Sequence, residues 1–275
     1  MTLEVGLRIS FITANFVARQ LGYHMTEGWM QGDAATQAYF RPLETFAERF
    51  EGMLGEIRGL GFDALDLWGA HLHPSWATPE HLEAARQALK AQGLEVLSLA
   101  AWCGSLSDLE GFCRVGAALQ APLIAGGAPV LRQRSEARAI LKNYGVRLGV
   151  ENHPEKTPAE LLAQIEDGAG GYIGAACDTG WWATQGYSAP AALRELQDHL
   201  LAVHLKDVRA AGAHQTCALG QGVADIEGCV RVLQEMGYSG PLGIEHEPET
   251  FDPGPDVLQS KKRLEGWWSS SANPK

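Results

Sequence analysis

The sequence has no run of about 20 apolar residues, the length a helix needs to cross a bilayer, so no membrane partner is expected. It has no C-x-x-C pair. Its five cysteines (Cys103, Cys113, Cys177, Cys217, Cys229) are scattered and odd in number, which argues against a thiolate zinc module or a disulfide framework and reads as reduced thiols. It also lacks a surplus of positive charge: 22 Lys and Arg face 33 Asp and Glu, a net charge of −11. Duplex binders need a basic face to neutralise phosphates, so no nucleic acid partner is expected, whereas metal ions and small neutral substrates fit. The start, MTLEVGLRIS, has neither the basic nor the long apolar region of a signal peptide, and the cytoplasm is the expected location.

What the chain does have is alternation. Short apolar runs predict strands over Val5–Thr13, Ala64–Trp68, Val96–Trp102, Pro122–Ala125, Arg147–Glu151, Ile173–Asp178, Leu201–Leu205 and Leu242–Glu245. Between them, amphipathic stretches predict helices over Leu43–Leu60, Pro79–Gln92, Leu106–Leu119, Gln133–Asn143, Pro158–Asp167, Pro190–His199, Ile226–Met236 and Val257–Trp268. Parallel strands need crossover helices, and eight such units predict an α/β fold, a single (β/α)8 TIM barrel over residues 1–268; a doubly wound sheet shares the alternation and is the structural rival. Residues 269–275 read as a disordered tail. The first unit is irregular: Ala14–Arg41, with Trp29 and Met30, reads as a long loop that could cover the barrel mouth.

Side chains alternate faces along a strand, and the outward face of a barrel meets bulky helix surfaces. Leu148 and Val150 therefore point out, and Gly149 and Glu151 in. By the same rule Asp178 falls in line with Gly174 and Ala176, His204 with Ala202, and Glu245 with Gly243. Glu151, Asp178, His204 and Glu245 thus share an inward parity at the C-terminal ends of consecutive strands, where barrels build active sites. Their separations of 27, 26 and 41 residues suit neighbouring βα units. Three carboxylates and an imidazole form a hard ligand set for one divalent metal ion, suiting Mn²⁺, Mg²⁺ or Co²⁺ better than Zn²⁺.

The segments VRLGVENHP (146–154), ACDTGW (176–181), HLKD (204–207), LGQGVADIEG (219–228) and GYSGPLGIEHEP (237–248) resemble the xylose-isomerase-like TIM barrel superfamily of sugar phosphate isomerases, epimerases and family 2 AP endonucleases. GFDALDLWGAHLHP (61–74) resembles its second strand and loop. The resemblance implies that Glu151, Asp178, His204 and Glu245 hold the metal, and that Glu151 and Glu245 also act as catalytic acid and base on a sugar or polyol ketone through a metal-stabilised enediolate. It also admits, as the second reading, a lyase such as an inosose or dehydroshikimate dehydratase, and a homodimer or homotetramer is compatible with it. One departure matters. Many relatives carry D-x-x-H where this chain reads Asp178-Thr-Gly-Trp181, and an indole cannot ligate a metal, so a three-zinc endonuclease site is disfavoured.

Six further residues are candidates for substrate contact. His153 keeps the inward parity of Glu151; Trp68 and Trp102 have inward parity on strands two and three; Trp181 could stack on a sugar face; Arg209 and His71 lie in loops at the mouth. His73 and Lys206 are weaker candidates of the same kind. The glycines of LGQGVAD lack the helix pattern of a dinucleotide site and read as a tight turn.

Overall fold

The computed structural model describes residues 8–271, so Val5–Leu7 of the predicted first strand and residues 272–275 of the predicted tail lie outside the described residues. Strands β1 (Ile9–Ile12), β2 (Ala64–Trp68), β3 (Glu95–Ala100), β4 (Leu123–Gly126), β5 (Arg147–Glu151), β6 (Ile173–Asp178) and β7 (Leu200–Val208) run parallel around a ring. A two-residue strand, β8 (Thr216–Cys217), pairs antiparallel with the end of β7 outside the ring. Strand β9 (Leu242–Glu245) pairs parallel with both β7 and β1 and closes the barrel. Closure removes the doubly wound alternative.

The helices are α1 (Trp29–Phe40), α2 (Leu43–Gly59), α3 (Pro79–Gln92), α4 (Leu106–Leu119), α5 (Arg134–Tyr144), α6 (Pro158–Ile165), α7 (Thr179–Thr184), α8 (Ala189–Glu195), α9 (Ile226–Glu235) and α10 (Gly254–Ser271). Local chemistry sets their ends. Thr78 and His81 form a capping box at the start of α3 with Pro79 in the first turn, where its missing N–H costs nothing. Gly93 then ends that helix at φ 62°, a conformation that penalises any Cβ.

Two expectations change. Residues 14–41 are not an open loop: two 3-10 turns (Thr13–Phe16 and Arg19–Leu21) lead into α1. The buried positions of α1 are Gly32, Thr36 and Phe40, one stripe at i, i+4 and i+8 that is barely apolar, so no hydrophobic period betrays it. At the other end, residues 269–271 extend α10 rather than starting a tail.

The core follows the predicted parity. Leu148, Val150, Val203, Leu205, Leu242 and Ile244 pack outward in one cluster with helix residues such as Phe46, Phe50, Leu54, Phe112 and Leu233. Each fully buried side chain of that size contributes about 1.5–3 kcal/mol by apolar burial. The barrel interior is narrower and takes small residues: Ala125, Ala176 and Ala202 pack there with Leu123. Deeper polar groups pair inside the ring, where Ser10 Oγ donates to Asp66 Oδ2 at 3.0 Å.

Candidate active site

The strand register brings the four inward acidic and imidazole positions to one level. Glu151 is level with Ala176, Asp178 with His204, and Lys206 with Glu245, so the stagger between tilted strands carries residues from different strand positions to one rim. Two asparagines fix the ends of these strands. Asn152 Nδ2 donates to Asp178 O at 3.0 Å, and Asn152 Oδ1 accepts from Asp178 N at 2.7 Å. Asn15 does the same around Glu245, donating to Ile244 O at 3.1 Å and accepting from His246 N at 2.7 Å. Both side chains are fully buried.

Asp178 divides its work between two oxygens. Oδ1 caps α7, accepting from Gly180 N at 2.7 Å and Trp181 N at 3.1 Å. Oδ2 is left facing the site, 3.4 Å from His153 Nε2 and 3.6 Å from Lys206 Nζ. His204 Nδ1 lies 3.0 Å from Glu151 Oε1 and 3.3 Å from Glu245 Oε2, and His153 Nδ1 lies 3.2 Å from Glu151 Oε2. Donor atoms fall into two overlapping triads, Glu151, His204 and Glu245 and then Glu151, His153 and Asp178, each set lying within 4.8 Å of one another. Asp178 Oδ2 and Glu245 Oε2 are buried and accept no hydrogen bond among the described residues. Buried carboxylate oxygens without donors are costly, and a cation is what such a set can hold.

Lys206 is the residue that sequence reasoning undervalued. Its Nζ donates to Glu245 Oε1 at 2.6 Å and to Glu247 Oε2 at 2.9 Å. Glu247 in turn accepts from Trp29 Nε1 at 3.3 Å, which ties α1 to the rim. Thr179 and Gly180, between the Asp and the Trp of Asp178-Thr-Gly-Trp181, exist for this lysine. Thr179 Oγ1 bonds both its backbone N–H (2.9 Å) and its carbonyl (2.8 Å), and Gly180 leaves room for its stem.

Electrostatics in the cluster are set by burial against pairing. Burial alone would lower His153, but the carboxylates of Glu151 and Asp178 raise it to about 9. Burial would raise Glu245, but Lys206 and then His204 pull it down to about 2. Glu247 is pushed up by burial to about 7 despite Lys206. Asp178 is likewise raised by burial, with Lys206 opposing.

Above this floor is a cavity of about 630 Å³ whose walls include Trp29, Trp68, Trp102 and His73, with Glu151, His204, Glu245 and Glu247 among the lining residues. Trp102, 62% exposed, also lines a second chamber of about 550 Å³ that shares Glu151 and contains His153. Trp68, the last residue of β2, and Trp102, two residues past the end of β3 rather than within it, both line the first cavity. Other candidates are placed differently. His71 is buried behind the wall, its Nδ1 3.2 Å from Thr13 Oγ1 and its ring against Phe40, so His73 takes the lining position. Arg209 is exposed where β7 runs on past Leu205 into the β8 hairpin, which carries it away from both chambers. Trp181 backs His153 edge-on at 4.4 Å and donates to Glu155 O at 2.7 Å without lining either chamber. Trp182 is ordinary core, fully buried with its Nε1 3.0 Å from Cys177 Sγ.

The glycine-rich segment after β8 is a turn, and its amides are already occupied. Asp207 Oδ2 accepts from Gly220 N and Gly222 N at 2.9 and 2.8 Å, and Oδ1 from Val208 N and Ala224 N at 3.0 Å. An internal carboxylate fills the place a phosphate would take.

A closed parallel barrel with an acidic and imidazole rim at its C-terminal face defines a class, and sequence comparison supplies the family. The chain belongs to the xylose isomerase-like TIM barrel family, whose model matches residues 129–267, half of its length. The L-ribulose-5-phosphate 3-epimerase UlaE of Escherichia coli is 39% identical over 64 residues, 23% of this chain and 22% of that protein, so the match spans about a fifth of this relative's length. Solved structures share the whole fold. A xylose isomerase-like TIM barrel protein from Mycobacterium smegmatis in complex with magnesium superposes with TM-score 0.71 at 16% identity, covering 99% of this chain and 100% of that one. A probable 3-DHS dehydratase from Bacillus anthracis gives TM-score 0.67 at 14% identity, covering 94% and 99%.

Proposed function

We propose that the protein is a divalent-metal-dependent epimerase or isomerase of ketose sugars or related polyol ketones. The observation that carries this reading is the convergence of Glu151, His204 and Glu245 donor atoms within 4.8 Å on the floor of a tryptophan-walled cavity. Glu151, Asp178, His204 and Glu245 would hold one ion; the buried oxygens of Asp178 and Glu245 that accept no hydrogen bond among the described residues support that assignment, and the hard donor set favours Mn²⁺, Mg²⁺ or Co²⁺ over Zn²⁺. Magnesium in the Mycobacterium smegmatis neighbour agrees with such a set.

The bound ion would polarise the substrate's carbonyl and hydroxyl oxygens and stabilise the enediolate. The rest falls to side chains. Glu151 and Glu245 stand on strands separated by β6 and β7, so they approach a substrate carbon from different sides of the ring. One removes the proton next to the carbonyl and the other returns a proton to the opposite face. His153 bonds Glu151, and Lys206 bonds Glu245, so each base has its own cationic neighbour to orient it and to hold its charge. Trp68 and Trp102 give apolar faces for the sugar's C–H surface.

Because a probable dehydratase shares the fold, the fold does not choose between reprotonation and loss of water. The test is proton NMR in D₂O with Mn²⁺-loaded protein and an EDTA control, over ketoses, ketose phosphates and inososes. EDTA-sensitive deuterium uptake beside the carbonyl, with a new stereoisomer or aldose, is the expected result. An unsaturated ketone would assign a lyase instead, and no exchange by folded, metal-loaded protein would overturn the reading.

A further inference from the structure

The cavity over Glu151, His204 and Glu245 carries carboxylates on its rim as well as its floor. Asp33 of α1 and Asp108 in the first turn of α4 line it, and among the described residues no lysine or arginine does. Each carboxylate uses one oxygen locally: Asp33 Oδ1 accepts from Gln37 Nε2 at 2.6 Å, and Asp108 Oδ2 from Ser105 N at 3.0 Å. The other oxygen of each remains an acceptor. His73, the rim imidazole, is held below its ordinary value by burial, with Asp33 and Asp108 opposing. Arg41, whose charge reaches His73, is exposed and does not line the cavity.

The second chamber does hold basic side chains, His153, Arg132 and Arg134, and two of these are engaged by neighbours. Its Arg134 is engaged, donating from Nη1 to Ile165 O at 3.1 Å and pairing through Nε with Glu166 at 3.2 Å. Arg132 lines it and is exposed, and Glu155 Oε2 is buried there with no hydrogen-bond partner among the described residues. The glycine-rich turn offers no cradle, because Asp207 already takes its amides.

We infer that the substrate is an uncharged ketose or polyol ketone with a free hydroxyl at its far end, and that the rim carboxylates Asp33 and Asp108 select against the phosphate ester. This rests on the proposed reaction and narrows its substrate. Hydroxyls donate to carboxylates, and the tryptophan faces take the sugar's C–H surface. A phosphate is best held by guanidinium, ammonium or unpaired amide donors, whereas in the cavity over Glu151 it would meet like charge from Asp33 and Asp108, with Lys206 already engaged by Glu245 and Glu247. The E. coli relative is named for a 5-phosphate substrate, so this chain would differ from it in specificity.

The experiment compares L-ribulose with L-ribulose 5-phosphate in the D₂O exchange assay, using the Mn²⁺-loaded full chain. The expected kcat/KM for the free sugar exceeds that for the ester by at least about a hundredfold. An ester used as well or better overturns the inference and leaves the proposed reaction standing; exchange with neither, nor with any other ketose or inosose of the panel, overturns the reaction on which it rests. In Asp33→Lys the ratio should move at least about tenfold toward the ester, and an unmoved ratio counts against the rim. Tryptophan emission, titrated with ribitol and with ribitol 5-phosphate, reads binding without turnover through Trp29, Trp68 and Trp102. Ribitol alone should perturb it, and equal binding of the ester overturns the inference.

Discussion

A Cβ placed on Gly180 would stand 2.7 Å from Cγ and 3.0 Å from Cβ of Lys206. The lysine stem therefore occupies the volume that a side chain would take on the first turn of α7, and its ammonium reaches Glu245 and Glu247 along that route. Gly180→Ala forces the stem aside. Overpacking of this kind costs about 1–3 kcal/mol, and on the proposed mechanism, where Lys206 orients Glu245, it should slow exchange at least about tenfold. The check is turnover alongside metal content. Lost turnover with metal retained is expected, and wild-type turnover would mean that the position of Lys206 does not matter.

Asp207 accepts four backbone N–H groups and organises the turn from Leu219 to Asp225. Gly222 passes so close that its Cβ would lie 2.3 Å from Asp207 Oδ1. Asp207→Asn replaces one acceptor oxygen with a donor pointing at N–H groups. Leaving buried donors unpaired costs about 1–3 kcal/mol each, so the variant should lose several kcal/mol in urea unfolding. The midpoint should fall without change in slope. An unchanged midpoint would show that the turn is held by other contacts.

The two asparagine clamps should behave as independent units. Asn152→Ala strips the amide partner from Asp178 N, and Asn15→Ala strips it from His246 N, each leaving a buried donor unpaired at about 1–3 kcal/mol. That corresponds to a fall in Tm of roughly 2–10 °C for a chain of this size. The two sites share no partner, so the double variant should equal the sum within about 0.5 kcal/mol. Marked non-additivity would reveal coupling through the cluster between Asp178 and Glu245.

The readable part of the site is what strand geometry makes local. Period-2 alternation in segments such as Leu-Gly-Val-Glu ties Glu151 to its inward neighbours without any tertiary knowledge, and the same holds for Asp178, His204 and Glu245. Lys206 had the right parity too. Its partners Glu245, at the end of β9, and Glu247, just past it, lie about 40 residues away, and nothing local couples them. Helix α1 stayed hidden because it packs through Gly32, with a Cβ there only 2.3 Å from Val17 O, so close approach replaces an apolar stripe. His71 and His73 share a turn, and only the path of the 3-10 segment Gly69–His71 decides which ring faces the cavity.

Metal loading gives the last prediction. The cluster already holds positive groups of its own: Lys206 against Glu245 and Glu247, and His153 against Glu151 and Asp178. These offset the buried carboxylates, so EDTA-treated protein should stay folded, unlike small domains that fold only around their ion. Binding then adds stability by mass action, about 2.7 kcal/mol at a hundred times the dissociation constant. For a chain of this size that raises Tm by about 5–10 °C. Scanning calorimetry with and without Mn²⁺, beside elemental analysis of the dialysed protein, measures both. Glu245→Gln and His204→Asn should each abolish the Mn²⁺ increment while leaving the EDTA-treated Tm within a few degrees. A full increment in either variant would remove that residue from the ligand set, and no increment in the parent would remove the ion from the proposed reaction.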